Sequence, residues 1–213
     1  MPDPVHPYAS RGGLKLAAAL DAFKLDVTGF TCADLGCNTG GFTDCLLQHG
    51  ATTVYAVDTG YGALAWKLRQ NPRVVVLERT NALHFDPQQL ENFRGCDLVT
   101  IDLAWTRQAH AIPAALRWLN PRNPRNLRNQ GSPSPGFPPR IITLIKPHYE
   151  AEKKLLVKGV LSEADARQVL DDVLAQLPGA GVRVEQWIES PIRGGAGKGK
   201  AGNTEYLALL QPI

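Results

Sequence analysis

The sequence lacks the features of a membrane-spanning or exported protein. No apolar run approaches the roughly 20 residues that a transmembrane helix needs. The first residues also lack a positively charged segment followed by an apolar one, which a secretory signal would show. The four cysteines in 213 residues have no Cys-x-x-Cys spacing and are too few for a disulfide scaffold. We therefore expect a protein of the reducing cytoplasm with no membrane partner.

Acidic residues are missing from one long stretch of the chain. Residues 103–149 contain no Asp or Glu, whereas the basic residues there are Arg107, Arg117, Arg122, Arg125, Arg128, Arg140 and Lys146. Because the net charge of the whole chain is only +3, this positive charge is local. Hydrophobic residues make up 44% and charged residues 20% of the sequence. That composition can build a sizeable core and excludes disorder throughout.

Apolar runs alternate along the chain with stretches of helical spacing. The predicted strands are residues 31–35, 53–57, 74–77, 98–101, 141–145, 182–188 and 206–210. The predicted helices are residues 12–23, which Ser10 is expected to cap, and residues 41–49, 63–70, 109–119 and 162–177. This alternation predicts an α/β fold with a mostly parallel, seven-stranded sheet.

Two stretches show no periodic pattern. Residues 120–139 are rich in Pro, Asn, Arg, Gly and Ser, which predicts a long surface loop or mobile insert between a helix and a strand. Its arginines are candidates for binding phosphate, and a purely solvated loop is the alternative. Residues 193–202 are rich in glycine and carry Lys198 and Lys200. Both stretches are predicted to be mobile.

A glycine-rich turn follows the first predicted strand and opens a helix. From Asp34 to Phe42 it reads Asp-Leu-Gly-Cys-Asn-Thr-Gly-Gly-Phe, and glycines at the carboxyl edge of a parallel sheet let a ligand approach the backbone closely. NAD fits poorly, because the spacing departs from Gly-x-Gly-x-x-Gly and Asp34 would repel a pyrophosphate. An amino-bearing ligand such as S-adenosylmethionine suits this charge better. Asp58 ends the second strand, where a carboxylate can accept hydrogen bonds from both hydroxyls of an adenosine ribose.

Two further polar side chains follow predicted strands. Asp102 comes directly after the fourth strand, and Lys146 comes directly after the fifth. If these strands are neighbours, both side chains face one cleft, where the carboxylate can orient the ammonium for proton transfer. A solvated salt bridge is the alternative. His6, His49, His84 and His110 have no Cys or His at ligand spacing, so no metal site is expected.

Several motifs together resemble one known family over nearly the whole chain. They are Ser-Arg-Gly-Gly-Leu-Lys-Leu from Ser10, the glycine turn, Tyr-Ala-Val-Asp-Thr-Gly-Tyr-Gly from Tyr55, Ala-Trp-Lys-Leu-Arg from Ala65, Glu-Arg-Thr-Asn-Ala from Glu78, Lys146-Pro147, and Gly-Asn-Thr-Glu-Tyr-Leu from Gly202. As a set they resemble the hemolysin A type (TlyA) ribosomal RNA methyltransferases, which lie within the FtsJ-like 2'-O-ribose methyltransferases.

This resemblance implies a Rossmann-like, class I S-adenosylmethionine-dependent fold with an antiparallel last strand. It also implies a Lys-Asp-Lys-Glu catalytic tetrad, which maps by motif onto Lys15, Asp102, Lys146 and Glu205. The implied reaction moves a methyl group from S-adenosylmethionine to a ribose 2'-hydroxyl of ribosomal RNA, free or within a ribosomal subunit. The implied cofactor-binding residues are Asp34, Gly36, Asn38, Gly40, Gly41, Phe42, Asp58, Asn81 and Asp102, and the expected RNA contacts are Arg11, Arg122, Arg125 and Arg128.

Departures from the family pattern keep other functions open. Family members usually carry an N-terminal S4-type RNA-binding domain, whereas only nine residues precede Ser10. We therefore expect a single methyltransferase domain over residues 1–213, with RNA targeting supplied from elsewhere or lost. One alternative is a non-catalytic RNA- or ribosome-binding module that retains the fold. A membrane-active hemolysin is the other, although no amphipathic or apolar segment supports it.

Overall fold

A single sheet organises the part of the chain that the computed structural model describes, which is residues 6–119, 138–195 and 202–213. Within these residues, seven strands occur in the order β3-β2-β1-β4-β5-β7-β6. Their bounds are Thr31–Leu35 (β1), Thr53–Val57 (β2), Val74–Leu77 (β3), Leu98–Ile101 (β4), Arg140–Ile145 (β5), Val182–Glu189 (β6) and Tyr206–Pro212 (β7). Strand β7 runs antiparallel to both of its neighbours, β5 and β6. The predicted mostly parallel sheet with an antiparallel last strand is confirmed.

Helices cover both faces of this sheet. They are Gly12–Ala22 (α1), Gly41–Gln48 (α2), Trp66–Arg69 (α3), Gln108–Leu116 (α4), Pro147–Glu150 (α5) and Glu163–Gln176 (α6). One buried core joins the sheet to α1 and α2, and a second joins it to α4 and α6. Along β1 the side chains alternate between the two cores: Cys32 lies in the first, and Ala33 and Leu35 lie in the second. Because both faces are covered, β1 is mostly apolar, and its one acidic residue, Asp34, is buried as well.

The order of the strands creates a crevice at the end of β1. Strand β1 pairs with β2 on one side and with β4 on the other, so the chain reverses its direction of travel across the sheet at this point. In open α/β sheets ligands bind outside the carboxyl ends of the strands at such a switch point. The glycine turn therefore lies where a ligand site is expected.

The structure corrects two local predictions. The predicted helix 63–70 is reduced to the single turn Trp66–Arg69, in which only Leu68 is buried. Ser10 does not cap α1: Arg11 occupies the N-cap position, without a side-chain hydrogen bond. The capping prediction for Ser162 is confirmed, because its side chain accepts a hydrogen bond from the backbone N–H of Asp165.

Two features of the sequence fall wholly or mostly outside the described residues. Of the predicted insert 120–139, the structure describes only residues 138 and 139, so Arg122, Arg125 and Arg128 lie outside. Of the glycine-rich stretch 193–202, residues 196–201 lie outside. Among the helices in the described ranges, none combines the length and apolarity needed to cross a bilayer.

Candidate active site

Gly36 brings the glycine turn into contact with the end of β4. It has a φ of +91°, and a Cβ at this position would lie 2.7 Å from the carbonyl oxygen of Asp102. Any other residue would therefore face both an unfavourable backbone conformation and a steric clash. The backbone N–H of Asp102 in turn donates a hydrogen bond to Leu35 O at 2.9 Å. The turn and the strand end that carries Asp102 are thus packed directly together.

Gly41 performs a similar role for α1. A Cβ on Gly41 would lie 2.3 Å from Ser10 Oγ and 2.8 Å from the backbone nitrogen of Gly13, so the first turn of α1 rests on the first turn of α2. Gly40, with a φ of +97°, has Leu68 against the position of its missing Cβ. From the sequence, these glycines were predicted to let a ligand approach the backbone closely. The structure shows that Gly40 and Gly41 are also required for packing, and that this packing places α1, with Lys15, beside the glycine turn.

Asp58 is fixed by the backbone around it. One carboxylate oxygen accepts a hydrogen bond from the N–H of Asn38 at 2.8 Å, and the other accepts from the N–H of Gly60 at 2.7 Å. Asn38 adopts a left-handed conformation with a φ of +46°. Because a carboxylate can accept about four hydrogen bonds, Asp58 keeps acceptor capacity toward a ligand at the end of β2.

Asp34 does not reach the surface of the site. It follows Ala33 in the alternation along β1, so its side chain points toward α2, where it is fully buried. Its carboxylate accepts hydrogen bonds from Thr43 Oγ1 at 2.7 Å and from Thr100 Oγ1 at 3.1 Å. Burial raises the pKa of Asp34 to about 7, and the two threonine hydroxyls oppose that shift. The expectation that Asp34 meets a ligand directly needs correction: in this structure it lies beneath the turn.

Lys146 and Asp102 form the first lysine–carboxylate pair of the site. Strands β4 and β5 are parallel neighbours, so the residues that follow them emerge side by side. Lys146 Nζ lies 2.6 Å from Asp102 Oδ1 and also donates a hydrogen bond to Leu103 O at 3.2 Å. The ammonium is also 5.6 Å from the ring centroid of Tyr149. The pairing expected from the sequence is present.

Lys15 and Glu205 form the second pair, from residues 190 positions apart in the sequence. Lys15 lies on α1, and Glu205 immediately precedes β7. Their side chains are 2.5 Å apart and almost fully buried. Gly194 packs against the carboxylate, since a Cβ there would lie 1.9 Å from Glu205 Oε1. Gly194 is held in turn by a pair of backbone hydrogen bonds to Asn203, each 2.9 Å long.

The two pairs converge on the same short segment after β5. Burial lowers the pKa of His148 to about 4, with the charges of Lys146 and Lys15 adding to the effect. Burial also raises the pKa of Tyr149, with the nearby charges of Glu205 and Asp102 acting in the same direction. Both pairs are therefore within electrostatic range of His148 and Tyr149. All four predicted catalytic residues lie together.

One open cleft joins one member of each pair, Lys15 and Asp102, to the glycine turn, whereas Lys146 and Glu205 do not line it. Its lining includes seven predicted site residues: Arg11, Lys15, Gly36, Asn38, Gly41, Phe42 and Asp102. Asn81 does not line this cleft; it is exposed, and its side chain accepts a hydrogen bond from the N–H of Leu83 at 2.9 Å. Asp58 is also absent from the lining, but it contacts the backbone of Asn38, which is part of it.

Sequence reasoning missed part of the cleft wall. The lining residues that it did not propose are Ser10, Gly12, Cys37, Ile192, Arg193, Gly194 and Gly195. Residues 193–195 were predicted only as part of an irregular, glycine-rich stretch. These residues lie shortly before the Glu205 motif in the sequence, and that position could have indicated them. A loop that precedes a site residue can fold back against its side chain, as Gly194 does against Glu205. No group of His, Cys, Asp and Glu in the described ranges could hold a metal ion.

The fold and these residues define a class of protein. The sheet order, with an antiparallel strand between two parallel ones, and the glycine turn at the switch point are those of Rossmann-like, S-adenosylmethionine-dependent methyltransferases. Fibrillarin from Aeropyrum pernix, solved with natively bound S-adenosyl-L-methionine, has a similar fold, with a TM-score of 0.59 at 16% identity over 92% of this chain and 74% of that one.

The chain belongs to the FtsJ-like methyltransferase family, whose family model matches residues 8–211. It is 36% identical over 212 residues to the Mycobacterium tuberculosis 16S/23S rRNA (cytidine-2'-O)-methyltransferase TlyA, covering 98% of this chain and 70% of that protein. It is 34% identical to Hemolysin A of Brachyspira hyodysenteriae, covering 94% of this chain and 75% of that protein. A solved candidate hemolysin from Streptococcus thermophilus superposes with a TM-score of 0.83 at 34% identity, over 99% of this chain and 69% of that one. The resemblance stated from the sequence is confirmed.

Proposed function

We propose that this protein transfers a methyl group from S-adenosylmethionine to a ribose 2'-hydroxyl of ribosomal RNA. The observation that carries the proposal is the convergence of the Lys146–Asp102 and Lys15–Glu205 pairs beside the Gly36 turn. The Mycobacterium tuberculosis relative, whose name gives it this reaction on rRNA cytidine, supports the choice of substrate. We expect the protein to act in the cytoplasm, where ribosomal RNA is found.

The residues present fit S-adenosylmethionine. Gly36, Asn38, Gly41 and Phe42 line the cleft, and Asp58 keeps acceptor capacity for the hydroxyls of an adenosine ribose. The Asp58 carboxylate at the end of β2 disfavours a pyrophosphate there. When bound, the cofactor supplies a methyl group already activated on a sulfonium, so positioning of the acceptor is the main task left to the protein.

The residues of the two lysine–carboxylate pairs have different roles in proton transfer and in orientation of the acceptor. A neutral Lys146 amine accepts the proton that leaves the 2'-hydroxyl as the oxygen attacks, and so becomes the ammonium that pairs with Asp102. Asp102 orients the Lys146 ammonium, and the carbonyl of Leu103 gives that ammonium a second fixed partner. Lys15, held by Glu205, contacts the hydroxyl or a neighbouring phosphate. In this proposal Lys15 is the fixed positive charge beside the 2'-oxygen as that oxygen loses its proton.

The test is transfer of labelled methyl to ribosomal RNA by the purified chain. Free 16S and 23S RNA and intact subunits are incubated separately with labelled S-adenosylmethionine, and the RNA is digested to nucleosides. We expect label in a 2'-O-methyl nucleoside from at least one of these substrates. Label in a base, or no label with any RNA, would overturn the proposal.

Two controls separate the alternatives. RNA binding without methyl transfer by the wild-type chain would favour the non-catalytic binding module. Leakage of dye from liposomes, measured on the same preparation, tests the membrane activity that the name of the Brachyspira relative raises. We expect no leakage above that caused by a heat-denatured sample.

A further inference from the structure

Arg193 forms an exposed ion pair at the cleft that contains Lys15 and Asp102. It lines this cleft, and its guanidinium lies 2.5 Å from the carboxylate of Glu163, the first residue of α6. The side chains are 45% and 77% exposed, respectively. The next residue, Gly194, packs against Glu205. The backbone of Arg193 is therefore held at a fixed place relative to the second lysine–carboxylate pair.

Arg193 differs from the two lysines of the site in the partner that neutralises it. Lys15 is buried against Glu205, and Lys146 is held by both Asp102 and Leu103 O. Glu163 is the most exposed of the three carboxylates. Exposed ion pairs contribute little to stability because water and salt screen them. The Arg193 guanidinium can therefore exchange Glu163 for another anion at little cost.

The proposed substrate brings such an anion to the same place. In an RNA chain the carbon next to the one that bears the 2'-hydroxyl carries the 3'-phosphate. A hydroxyl held at Lys15 therefore brings that phosphate into the cleft that Arg193 also lines. Arginine is suited to that group, because its planar guanidinium donates two parallel hydrogen bonds to phosphate oxygens.

We propose that Arg193 binds the backbone phosphate adjacent to the target ribose, and that Glu163 occupies the guanidinium until RNA replaces it. Arg193 is then a positioning residue for the acceptor, and Glu163 weakens RNA binding by competing for it. This inference rests on the proposed function, because it takes the acceptor hydroxyl to lie at the two lysines.

The first experiment removes the guanidinium. With Arg193→Ala we expect the KM for RNA to rise about tenfold or more, as for loss of one charge-assisted contact, while the Kd for S-adenosylmethionine is unchanged. The slope of log binding constant against log salt should fall by about 0.7–0.9, the value for one phosphate contact. Arg193→Lys keeps the positive charge but cannot donate two parallel hydrogen bonds to one phosphate, so we expect an intermediate KM for RNA.

The second experiment removes the competitor. Glu163→Gln should lower the KM for RNA about two- to fivefold, because Arg193 is then free of an exposed pair. Asp171→Asn is the matched control. Asp171 lies on the same helix as Glu163, pairs with Arg167 at 3.3 Å and is also exposed to solvent. It changes the net charge by the same amount, and we expect no comparable gain. In the Arg193→Ala background the gain from Glu163→Gln should disappear.

The outcomes separate this inference from the function on which it rests. If the wild-type chain methylates no RNA, the proposed function fails. If the wild-type chain is active but Arg193→Ala leaves both the KM and the salt slope unchanged, the phosphate contact is wrong. If Glu163→Gln and Asp171→Asn have equal effects, competition by Glu163 is wrong. Thermal melting of each variant confirms that the exposed substitutions leave the fold intact.

Discussion

The two lysine–carboxylate pairs have nearly the same length but are built in different ways. Lys15 and Glu205 are 2.5 Å apart, with side-chain exposures of 11% and 4%. Lys146 and Asp102 are 2.6 Å apart, but their exposures are 12% and 25%. The first pair joins α1 to the start of β7 across 190 residues of sequence, whereas the second joins the ends of neighbouring strands.

This difference separates a structural requirement from a chemical one. In a buried pair, loss of one partner leaves an uncompensated charge away from water, which is strongly destabilising. In the Lys146–Asp102 pair the carboxylate is 25% exposed, and the ammonium keeps its hydrogen bond to Leu103 O when the carboxylate is removed, so we expect stability to change less. We therefore expect substitutions in the Lys15–Glu205 pair to affect folding and activity together, and substitutions in the Lys146–Asp102 pair to affect mainly activity.

The largest effect is expected at Lys146. Lys146→Ala removes the proposed proton acceptor and should lower kcat on the order of 10²- to 10⁴-fold, the usual contribution of general acid–base groups. The Kd for S-adenosylmethionine, measured by calorimetry, should stay within about twofold, since no cofactor contact is assigned to this side chain. Substantial residual transfer with correctly folded protein would contradict the role given to Lys146.

The next largest effect is expected in the buried pair. Glu205→Gln should lower the free energy of unfolding by about 3–5 kcal/mol, because Lys15 is left buried without a counter-charge. Chemical denaturation measures this change directly. The double variant Lys15→Met/Glu205→Gln removes both charges, so we expect most of the stability to return while methyl transfer stays lost. If Glu205→Gln alone leaves stability unchanged, the contrast between the two pairs is wrong.

Asp102→Asn tests the Lys146–Asp102 pair. Lys146 loses its ionic partner but retains Leu103 O at 3.2 Å, so we expect kcat to fall about 10- to 100-fold, the equivalent of one hydrogen bond to a charged group. Because Lys146 keeps this second partner, the free energy of unfolding should fall by less than the loss of about 3–5 kcal/mol expected for Glu205→Gln. A stability loss as large as that of Glu205→Gln would show that the two pairs do not differ in their contribution to stability.

The last prediction concerns Asp34, the buried carboxyl beneath the glycine turn. Because burial raises its folded-state pKa to about 7 from 3.8, the folded protein retains a proton that the unfolded chain releases. The contribution of Asp34 to stability therefore falls as the pH rises between about 4 and 7. Asp34→Asn cannot lose that proton, so its stability relative to wild type should improve by about 2–3 kcal/mol from pH 5 to pH 8. Parallel slopes for the two proteins would contradict this.

The sheet was largely predictable from the sequence. Strands β1 to β4 have the predicted bounds, because each is a mostly apolar run followed directly by a glycine or an acidic residue. Strand β5 begins one residue earlier than expected, and β6 and β7 extend further toward their carboxyl ends. The antiparallel direction of β7 was expected only from the family resemblance, and its position between β5 and β6 was not predicted, since a strand's own pattern does not specify its neighbours.

The site was predictable in part. Asp102 and Lys146 follow strands, so their proximity needed only that β4 and β5 be adjacent. The contact between Lys15 and Glu205 has no local signal and came from the resemblance. Asp34 was misplaced because β1 is buried on both faces, and the sequence does not tell which core receives a polar side chain. Arg193 was overlooked because glycines around it hide any periodicity.

The contact between Gly36 and Asp102 has a mechanical consequence. The backbone of Asp102 occupies the space that a side chain at position 36 would fill, so the glycine turn packs directly behind the residue that pairs with Lys146. A shift of the turn is transmitted to Asp102 and, through it, to Lys146. Movement of the turn and alignment of Lys146 are consequently linked by this packing and by the hydrogen bond from the Asp102 N–H to Leu35 O.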